Sequence, residues 1–402
     1  MSLETLEIPE TFDTAQVEDW LVHAAGGIAD IEELVAGLAT VIDGAGLHID
    51  RLSVGVPFLL PHILGMQVLW ARGSPVERRH IPAGPDSIRQ LEDSPVKAAY
   101  QDGRTTRCRI SPEPQEGEYP IIADLRAEGF SDYAVLAVRF SDQTFKALTI
   151  ATRAPEGFTD ASLEALGGLM VNLAPVLEVR TLRYLARSLL NVYVGPTASG
   201  RVLDGEVQRG EGAQIDAVIW FCDLRGSTDL ANTLEGAELI GLLNEFFGEV
   251  TSAITDHGGE VLKFIGDSVL AIFPCGERPP VGCPSVARAE SAARDALQRI
   301  AALNTKMVAN GGQAIGMGVA LHVGRVFFGN VGGEDRLDFT VIGPAVNLAS
   351  RIESLSGDTG KQLLVSEDFA KLTLGAYQAL GSFHFKGIGG WQTVYVPAET
   401  GN

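Results

Sequence analysis

Two acidic residues at the ends of apolar segments constrain this chain more than any other feature of its sequence. The apolar run Ala217–Cys222 ends at Asp223, and Asp267 lies in a Gly-Asp turn between the segments EVLKFI and SVLAIF. A continuous apolar run is typical of a strand buried on both faces, and a Gly-Asp pair between two such runs predicts a hairpin. Carboxylates at neighbouring strand ends can hold Mg²⁺ against the phosphates of a substrate, so the pattern indicates nucleotide chemistry.

Length and charge limit the kinds of protein that this chain can be. The 402 residues suffice for two or three domains. The formal net charge is −20, and the sequence contains no dense run of Lys and Arg. Because nucleic acids and anionic membrane surfaces are themselves negatively charged, we expect no nucleic-acid partner and no binding to such a membrane.

Neither a targeting segment nor a membrane span is expected. The acidic N-terminus MSLETLEIPE has no basic region before an apolar core, so it does not resemble a signal peptide. The most apolar segment, 53–70, is interrupted by two prolines, a histidine and a glutamine, which favours buried strands and turns over a membrane span. Four cysteines make no disulfide framework, and we therefore expect a reducing, cytoplasmic location.

The N-terminal half combines helical and strand patterns. A helical pattern runs near 15–45, and DYAVLAVRFSDQTFKALTIAT reads as two β-rich runs joined by the polar residues 141–143. A further helix is expected after Thr159, a residue suited to the N-cap. A strand pair followed by a final helix resembles the end of a GAF-type sensory domain. We therefore predict a separate α+β, GAF-like regulatory domain over 1–180, with an unidentified ligand or signal.

Residues 181–212 are predicted to form a linker helix and a connector. Four apolar residues are spaced three, four and three positions apart, as on a two-heptad coiled-coil seam. They are Leu182, Leu185, Leu189 and Val192. Two heptads fall short of a full coiled-coil pattern, so a dimeric coiled coil and a helix docked on its own domain both stay open. The Gly-rich, charged stretch that follows is expected to be a connector with one short hairpin.

The C-terminal half, 213–397, has the clearest pattern of elements. An amphipathic helical stripe follows the apolar strand at 217–222 and ends at a Gly-Gly pair. The hairpin around Asp267, an Ala-rich helix near 285–309, two more strands and the helical segment AVNLASRIESL come next. The order β-α-β-β-α-β predicts a ferredoxin-like α+β domain with appended elements.

Five motifs of this half occur in a characteristic order: FCDLRGST, GGEVLKFIGDSV, HVGRVFFGNVG, DFTVIGPAVNLASR and FHFKGIG. Together they resemble the catalytic domain of class III nucleotidyl cyclases, over roughly 213–397. The resemblance implies conversion of ATP or GTP to the 3′,5′-cyclic monophosphate and pyrophosphate. It also implies two Mg²⁺ or Mn²⁺ ions per active site, and a homodimer with its active sites at the interface.

The resemblance assigns roles by position. Asp223 and Asp267 match the metal-binding aspartates of the family, and Asn347 and Arg351 match the pair that orients the ribose and stabilises the transition state. The residue types support the second assignment, because positions four apart on a helix share a face and an arginine suits charge developing on phosphoryl oxygens. In the family, the metal aspartates come from one subunit, and the transition-state and base-reading residues from the other.

The remaining matches concern the substrate. Lys263 and Thr340 match the pair that reads the purine, and Arg325 and Lys386 match positions that hold the terminal phosphates. A Gly-Ser-Thr segment after the first aspartate opens towards a helix, where its backbone N–H groups can cradle phosphates. This segment consists of Gly226, Ser227 and Thr228.

The purine pair bears on the choice of substrate. The Lys263 ammonium can donate to adenine N1 and the Thr340 hydroxyl can accept from the exocyclic amine, whereas guanine presents the opposite pattern. Relatives selective for GTP tend to carry Glu and Cys, Ser or Gly here, while Thr340 departs from the Asp found in many adenylyl cyclases. We therefore expect an ATP-using adenylate cyclase in signal transduction. A guanylate cyclase and a catalytically silent nucleotide-sensing or dimerisation module are the alternatives.

Overall fold

Two compact units make up the chain. The computed structural model describes residues 12–206, 208–334 and 336–398. The units are Met1–Leu189 and Leu190–Asn402, and the division lies inside the linker predicted at 181–212. Each unit combines helices with a β-sheet, so the predicted α+β class is confirmed. The acidic stretch at 1–10 lies outside the described residues.

The first unit is built on a six-stranded sheet of order β3-β2-β1-β6-β5-β4. Its strands are β1 (Arg51–Leu60), β2 (Ile63–Ala71), β3 (Glu77–Pro82), β4 (Thr106–Arg109), β5 (Asp132–Arg139) and β6 (Phe145–Thr152). Its helices are α1 (Thr14–Asp19), α2 (Ile31–Gly44), α3 (Pro85–Glu92), α4 (Val96–Asp102), α5 (Pro120–Ala127), α6 (Asp160–Gly168) and α7 (Met170–Val194), with a π-helical turn at Trp20–Ala24 and a 3₁₀ turn at Ala25–Gly27. In the described part of the chain no helix alone is long and apolar enough to cross a membrane, although α6 and α7 together, bent by 50°, reach that length and apolarity.

Side chains alternate between the two faces of this sheet and form a core on each. On β5, Ala134, Leu136 and Val138 belong to the core that contains residues of α2, α6 and α7. Tyr133 and Val135 belong to the opposite core, which contains residues of α4 and α5. Helices therefore cover both faces, and this burial accounts for the apolar composition of β5.

The sequence patterns of this unit correspond to observed elements. The apolar segment 53–70 forms most of the hairpin of β1 and β2, and the polar residues 141–143 connect β5 to β6. The hydroxyl of Thr159 caps α6 as predicted. The helical pattern near 15–45 is interrupted, because the carboxylate of Asp30 caps a new helix, α2. The likeness to a GAF domain stays a prediction.

The second unit contains the other sheet. Its strands are β7 (Gly212–Arg225), β8 (Glu260–Ile265), β9 (Ser268–Pro274), β10 (Gly316–Gly332), β11 (Leu337–Ile342), β12 (Leu363–Ser366), β13 (Tyr377–Phe383) and β14 (Gln392–Pro397). Its helices are α8 (Pro196–Leu203), α9 (Ser227–Thr233), α10 (Gly236–Asp256), α11 (Pro284–Ala309), α12 (Pro344–Thr359) and α13 (Glu367–Leu372). The prediction of a short hairpin in the connector is wrong, because the connector forms the helix α8 instead. Pro196 stands at the start of α8, where its fixed φ favours a helix.

The centre of the second sheet has ferredoxin-like topology. The strands run in the order β13-β14-β12-β10-β7-β9-β8, and β11 pairs with β10. Within this sheet, β10, β7, β9 and β8 pair with antiparallel neighbours, while α10 and α11 pack together in the core of one face. The predicted β-α-β-β-α-β domain with appended elements is therefore confirmed.

The two faces of β7 carry different helices. Trp220 and Cys222 are buried with residues of α10 and α11. Ile219 and Phe221 are buried on the opposite face, with residues of α12. Because side chains alternate along a strand, Asp223 continues the second set and lies on the α12 side of the sheet.

A buried histidine on β10 makes the stability of the second unit dependent on pH. His322 is 5% exposed and its Nδ1 lies 2.8 Å from Ser366 Oγ. Burial lowers the pKa of His322 to about 4, although Asp368 opposes the shift. The unfolded histidine takes up its proton near pH 6.5, so the stability is full above that pH and is lost as the pH falls towards 4. On going from pH 7 to pH 5, we expect the protonation of His322 to lower the free energy of unfolding by about 2 kcal/mol.

Urea unfolding at pH 7 and pH 5 measures this contribution. His322→Gln keeps a polar side chain that does not titrate, so its free energy of unfolding should change less between the two pH values than that of the wild type. His384→Gln replaces an exposed histidine of the same unit and should keep the wild-type dependence. Equal pH dependence in the wild type and His322→Gln would contradict this account.

Candidate active site

Asp223 and Asp267 meet where β7 runs past the turn between β8 and β9. Asp223 pairs with Ser268 across the β7–β9 ladder, and Ser268 directly follows Asp267. The Ser268 hydroxyl donates to Asp223 Oδ1 at 2.6 Å, and the two carboxylates are close enough to act on each other electrostatically. Both aspartates are partly exposed. The hairpin that the sequence predicts thus brings the two carboxylates together.

The electrostatics of this carboxylate pair favour a cation. Burial raises the pKa of Asp223 above its usual range and Asp267 raises it further, while Ser268 and Arg225 oppose the shift. Two ionised carboxylates in contact repel each other. A divalent ion between them would remove that repulsion, and Mg²⁺ and Mn²⁺ prefer carboxylate oxygens. The donor set therefore fits such an ion.

The Gly-Ser-Thr segment turns the chain from β7 into α9. Gly226 has φ 73°, a left-handed conformation that favours glycine, and it stands at the N-cap of α9. Ser227 and Thr228 form the first turn of α9, where backbone N–H groups have no partner within the helix. These N–H groups follow Asp223 within a few residues, so they are available to phosphate oxygens beside the carboxylate pair.

Asn347 and Arg351 lie on the exposed side of α12. Both residues are exposed, and within the described ranges neither side chain has a hydrogen-bond or ion-pair partner. Leu348 and Ile352 are buried and hold the other side of the helix against the sheet. The predicted pair therefore shares one face, which presents an amide and a guanidinium to the outside of the unit.

Lys263 is paired with an acidic residue that the sequence reasoning missed. Its ammonium forms an ion pair with Asp338 of β11, and β11 contacts β8. Asp338 and Thr340 are two residues apart on one strand, so they lie on the same face. The structure therefore brings Lys263, Asp338 and Thr340 to one face.

Thr340 has unused hydrogen-bonding capacity. The residue is 4% exposed, and its Oγ1 is buried with no hydrogen-bond partner in the part of the chain that the structure describes. Its neighbours Phe339 and Val341 belong to a core on the opposite face of β11. A buried hydroxyl left without a partner costs about 1–3 kcal/mol, which a ligand with a complementary group would recover.

Arg325 is bound to another carboxylate. Its Nε and Nη2 donate to Asp216 Oδ1 and Oδ2 at 3.0 and 3.3 Å, and this pairing holds the pKa of Asp216 below its usual range. Asp216 lies opposite Arg325 in the β7–β10 ladder and precedes Asp223 by seven residues. Seven residues of a strand span about 23 Å, so the structure does not bring Arg325 to the Asp223 of its own chain.

Lys386 lies in the loop between β13 and β14. It is exposed, and it has no partner among the residues that the structure describes. The neighbouring Phe385 is buried in a cluster with Leu348 and Ile352 of α12. The loop therefore packs against the helix that carries Asn347, and the ammonium is free to bind a phosphate.

Arg225 and Glu353 form a further ion pair that the sequence reasoning missed. The guanidinium donates to the Glu353 carboxylate and, at 2.9 Å, to the Glu353 backbone carbonyl. Glu353 is 4% exposed, and burial raises its pKa to about 7 against the opposing charge of Arg225. Two sequence features could have predicted this ion pair. One is a cation two residues after Asp223 on β7, and the other is a glutamate on the apolar side of α12.

Comparison with known proteins places the second unit in a family. Residues 212–397 match the model of the adenylate and guanylate cyclase catalytic domain. An adenylate cyclase of Anabaena cylindrica is 32% identical over 193 residues, which are 48% of this chain and 37% of that protein. The solved adenylyl cyclase CyaB of P. aeruginosa is 26% identical, with a TM-score of 0.43 over 47% of this chain and 97% of that one. The solved guanylyl cyclase Cya2 is 28% identical, with a TM-score of 0.41 over 48% and 97%.

The match is confined to one part of the chain. The chain spans about a third of the length of the curated relatives that it matches, and the aligned part is close to half of the chain. The matched range begins with β7 and ends with β14, and it includes both aspartates and α12. Residues 212–397 are therefore a catalytic domain of the adenylate and guanylate cyclase family.

Proposed function

We propose that the chain is an adenylate cyclase that converts ATP to 3′,5′-cyclic AMP and pyrophosphate. The observation that carries the proposal is the register of β7 with β9, which places Asp267 beside Asp223 inside a cyclase-family domain. Asn347 and Arg351, exposed on α12 and without partners among the residues that the structure describes, supply the polar groups that the reaction needs near its transition state. The adenylate cyclase among the relatives supports ATP as the substrate.

Asp223 and Asp267 would hold two divalent cations, Mg²⁺ or Mn²⁺, together with oxygens of the triphosphate. When bound, such ions polarise the attacking hydroxyl and neutralise charge on the phosphates. Ser268 occupies one oxygen of Asp223 and leaves the second oxygen available to a cation. The N–H groups of Ser227 and Thr228, at the positive end of α9, would contact phosphate oxygens beside the carboxylates.

The reaction is an in-line displacement at the α-phosphorus. The bond between the ribose 3′-oxygen and the α-phosphorus forms, the bond to the bridging oxygen breaks, and pyrophosphate leaves with that oxygen while the hydroxyl proton passes to solvent. The Asn347 amide would orient the ribose through hydrogen bonds. Arg351 would donate to the α-phosphoryl oxygens, where negative charge grows, because a guanidinium stays ionised throughout the reaction. Lys386 would hold the terminal phosphates.

The direction of α12 supports an active site completed by a second copy of the chain. Successive helix residues are turned by about 100°, so Arg351 and Glu353 point in nearly opposite directions. Because Glu353 points at β7, Arg351 faces away from the Asp223 of its own chain. We therefore propose a homodimer in which Arg351 serves the carboxylates of the partner.

An exposed apolar surface beside the Gly-Asp turn also supports the homodimer. Phe264 and Ile265, at the end of β8, are 51% and 47% exposed. Phe247 of α10 contacts the Phe264 ring with a centroid distance of 4.4 Å, so the aromatic surface continues on to the helix. Apolar side chains that adjoin a polar site are typical of an interface that another chain covers.

The choice of ATP rests on the groups around Lys263. The ammonium can donate to adenine N1, and the Asp338 carboxylate beside it can accept from the exocyclic amine. The Thr340 hydroxyl, which has no partner in the described ranges, offers a further acceptor on the same face. Guanine presents an N1–H donor and an O6 acceptor, which this arrangement satisfies less well. Because the Thr340 hydroxyl can also donate, a guanylate cyclase is the second candidate.

We further propose that the first unit regulates the second, with a GAF-like domain over 1–180 and a linker over 181–212. The first unit has its own sheet and its own cores. Along α7, Leu182, Leu189 and Val192 are exposed, whereas Leu185 packs against a core of the first unit. The exposed residues would allow two copies of this helix to pair and carry a signal to the cyclase domain.

Product analysis of the purified full chain tests the proposal. With Mg²⁺ or Mn²⁺, ATP should yield cyclic AMP and pyrophosphate in equal amounts, and more rapidly than GTP yields cyclic GMP. Equal or faster turnover of GTP would favour the guanylate cyclase. If neither nucleotide gives a cyclic product with either metal, the enzymatic proposal is wrong and a silent nucleotide-binding module takes its place.

Arg325→Ala should lower stability without changing substrate use. The substitution removes the guanidinium that pairs with Asp216, whose carboxylate is largely buried. Because Nε and Nη2 of Arg325 are both engaged by Asp216, the guanidinium is already occupied in whichever chain's active site it would face. We expect a lower Tm and an unchanged KM for ATP. Thermal melting and initial rates of the same sample measure both quantities.

Lys386→Ala is the matched control, because Lys386 is also a cation assigned to the phosphates but has no partner in the described ranges. Its Tm should equal that of the wild type while its KM rises. A raised KM with an unchanged Tm in Arg325→Ala would return Arg325 to the phosphate-binding role that the sequence predicts.

A further inference from the structure

We infer that Arg225 and Glu353 are positioning residues for Asp223. The carboxylate half of the active site is Asp223 with Asp267, and the helix half is Asn347 with Arg351. Glu353 then serves the carboxylate half, although it lies on the helix that carries the helix half. The inference rests on the proposed function, in which the two halves of one chain serve two different active sites.

One member of the ion pair, Arg225, lies on the strand that carries Asp223. Arg225 follows Asp223 by two residues on β7, so both side chains lie on the α12 side of the sheet. The Arg225 guanidinium donates to both the carboxylate and the backbone carbonyl of Glu353. Two bonds to one residue fix the guanidinium relative to α12 and thereby fix the end of β7.

The ion pair packs closely against the glycine that lies opposite Asp223. Gly318 is the residue of β10 that pairs with Asp223 in the ladder. A Cβ at Gly318 would lie 2.4 Å from Ser356 Oγ and 2.5 Å from both Arg225 Nη2 and Glu353 Oε1. These polar atoms therefore fill the volume directly above the backbone that positions Asp223. In so closely packed a region, a displaced ion pair also displaces this backbone.

The ion pair also keeps the positive charge of Arg225 from binding the carboxylates of Asp223 and Asp267. The Arg225 Nε is buried without a partner within the described residues, and Arg225 lies two residues from Asp223 on the same face of β7. If Glu353 is replaced by an uncharged residue, the Arg225 guanidinium can gain hydrogen bonds by turning to Asp223. It would then compete with the divalent cation for the same oxygens. Glu353 therefore keeps Arg225 away from the metal ligands.

Mixed dimers assign Glu353 to one half of the active site. Glu353→Gln keeps the shape of the side chain and removes its charge. Purified Glu353→Gln chains are mixed with Asp223→Ala or Arg351→Ala chains, and two different affinity tags isolate the heterodimers. The mixture of Asp223→Ala with Arg351→Ala is the control. If this control fails to regain activity, the proposed two-chain site is wrong whatever Glu353 does.

The two mixtures have opposite expected results. With Arg351→Ala, one site of each heterodimer combines an intact carboxylate half with an intact helix half, so activity should return to the level of the control. With Asp223→Ala, both sites carry a defective carboxylate half, so activity should not exceed that of the homodimers. Rescue by Asp223→Ala, rescue by neither mutant, or full activity of the Glu353→Gln homodimer would each overturn the inference.

Two further measurements separate positioning from folding. Mn²⁺ binding followed by electron paramagnetic resonance should weaken about ten-fold in Glu353→Gln, as expected when a partner of a metal ligand is lost, and should be unchanged in Arg351→Ala. Unchanged Mn²⁺ affinity in Glu353→Gln would contradict the role. If Glu353→Gln does not fold, Arg225→Lys replaces it in every mixture, because the lysine keeps the charge and loses the two-bond attachment. The same pattern of rescue is expected.

Discussion

Asp223→Ala should lower the formation of cyclic AMP by at least about 10³-fold, because it removes one of the two carboxylates that hold the cations. Asp223 accepts a hydrogen bond from Ser268 and lies beside Asp267, so the variant keeps a single carboxylate for two cations. Burial raises the pKa of Asp223 and Asp267 raises it further, in the direction expected of two carboxylates that repel each other. Removing one carboxylate relieves this repulsion, so stability should not fall with activity.

The measurement is the initial rate of cyclic AMP formation together with the Tm of the same preparation. Asp358→Ala is the matched control, since Asp358 is an exposed carboxylate of α12. It should keep the wild-type rate. A rate for Asp223→Ala within ten-fold of the wild type would show that the carboxylate pair is not the metal site.

A triple substitution should shift the preference from ATP to GTP by about 100-fold in the ratio of kcat/KM values. Lys263→Glu turns a donor into an acceptor for guanine N1–H, and Thr340→Cys removes an acceptor that suits adenine. Asp338→Asn is needed as well, because Asp338 forms an ion pair with Lys263 and would repel a carboxylate placed there. Rates with ATP and GTP at several concentrations give the ratio.

The single substitution Lys263→Glu is the informative comparison. With Asp338 retained, two carboxylates face each other, so this variant should lose turnover of ATP without gaining turnover of GTP. If Lys263→Glu alone reaches the GTP preference of the triple variant, Asp338 has no part in reading the base. If neither variant changes the ratio, the purine lies elsewhere.

The carboxylate pair was predictable from local signals, whereas its supporting partners were not. Two local patterns predict the positions of the carboxylates. One is an apolar run that ends in an aspartate, and the other is a Gly-Asp turn between two strands. The partners of Lys263 and Arg325 are 75 and 109 positions away in the chain. Such pairings depend on strand register and on which strand becomes the neighbour, and a single sequence does not state either.

Element boundaries were predictable where the apolar pattern ends with the element. The pattern on β7 predicts a strand at 217–222, but the strand extends over Gly212–Arg225 because β10 supplies hydrogen-bonding partners beyond the apolar run. This extension is what places Arg225 on the strand. The glycines and charges after Val194 predicted a hairpin, yet the chain forms α8, in which Ala198 is buried against the sheet core.

The central claim is that one chain carries two half-sites that only a second copy completes. Its most direct measurement is the cyclase activity of a one-to-one mixture of Asp223→Ala and Arg351→Ala chains, each nearly inactive as a homodimer. Random pairing makes half of the dimers heterodimers with one intact site each, so the mixture should regain about a quarter of the wild-type activity per chain. No regained activity, with heterodimers isolated through two affinity tags, would contradict the claim and place the whole site within one chain.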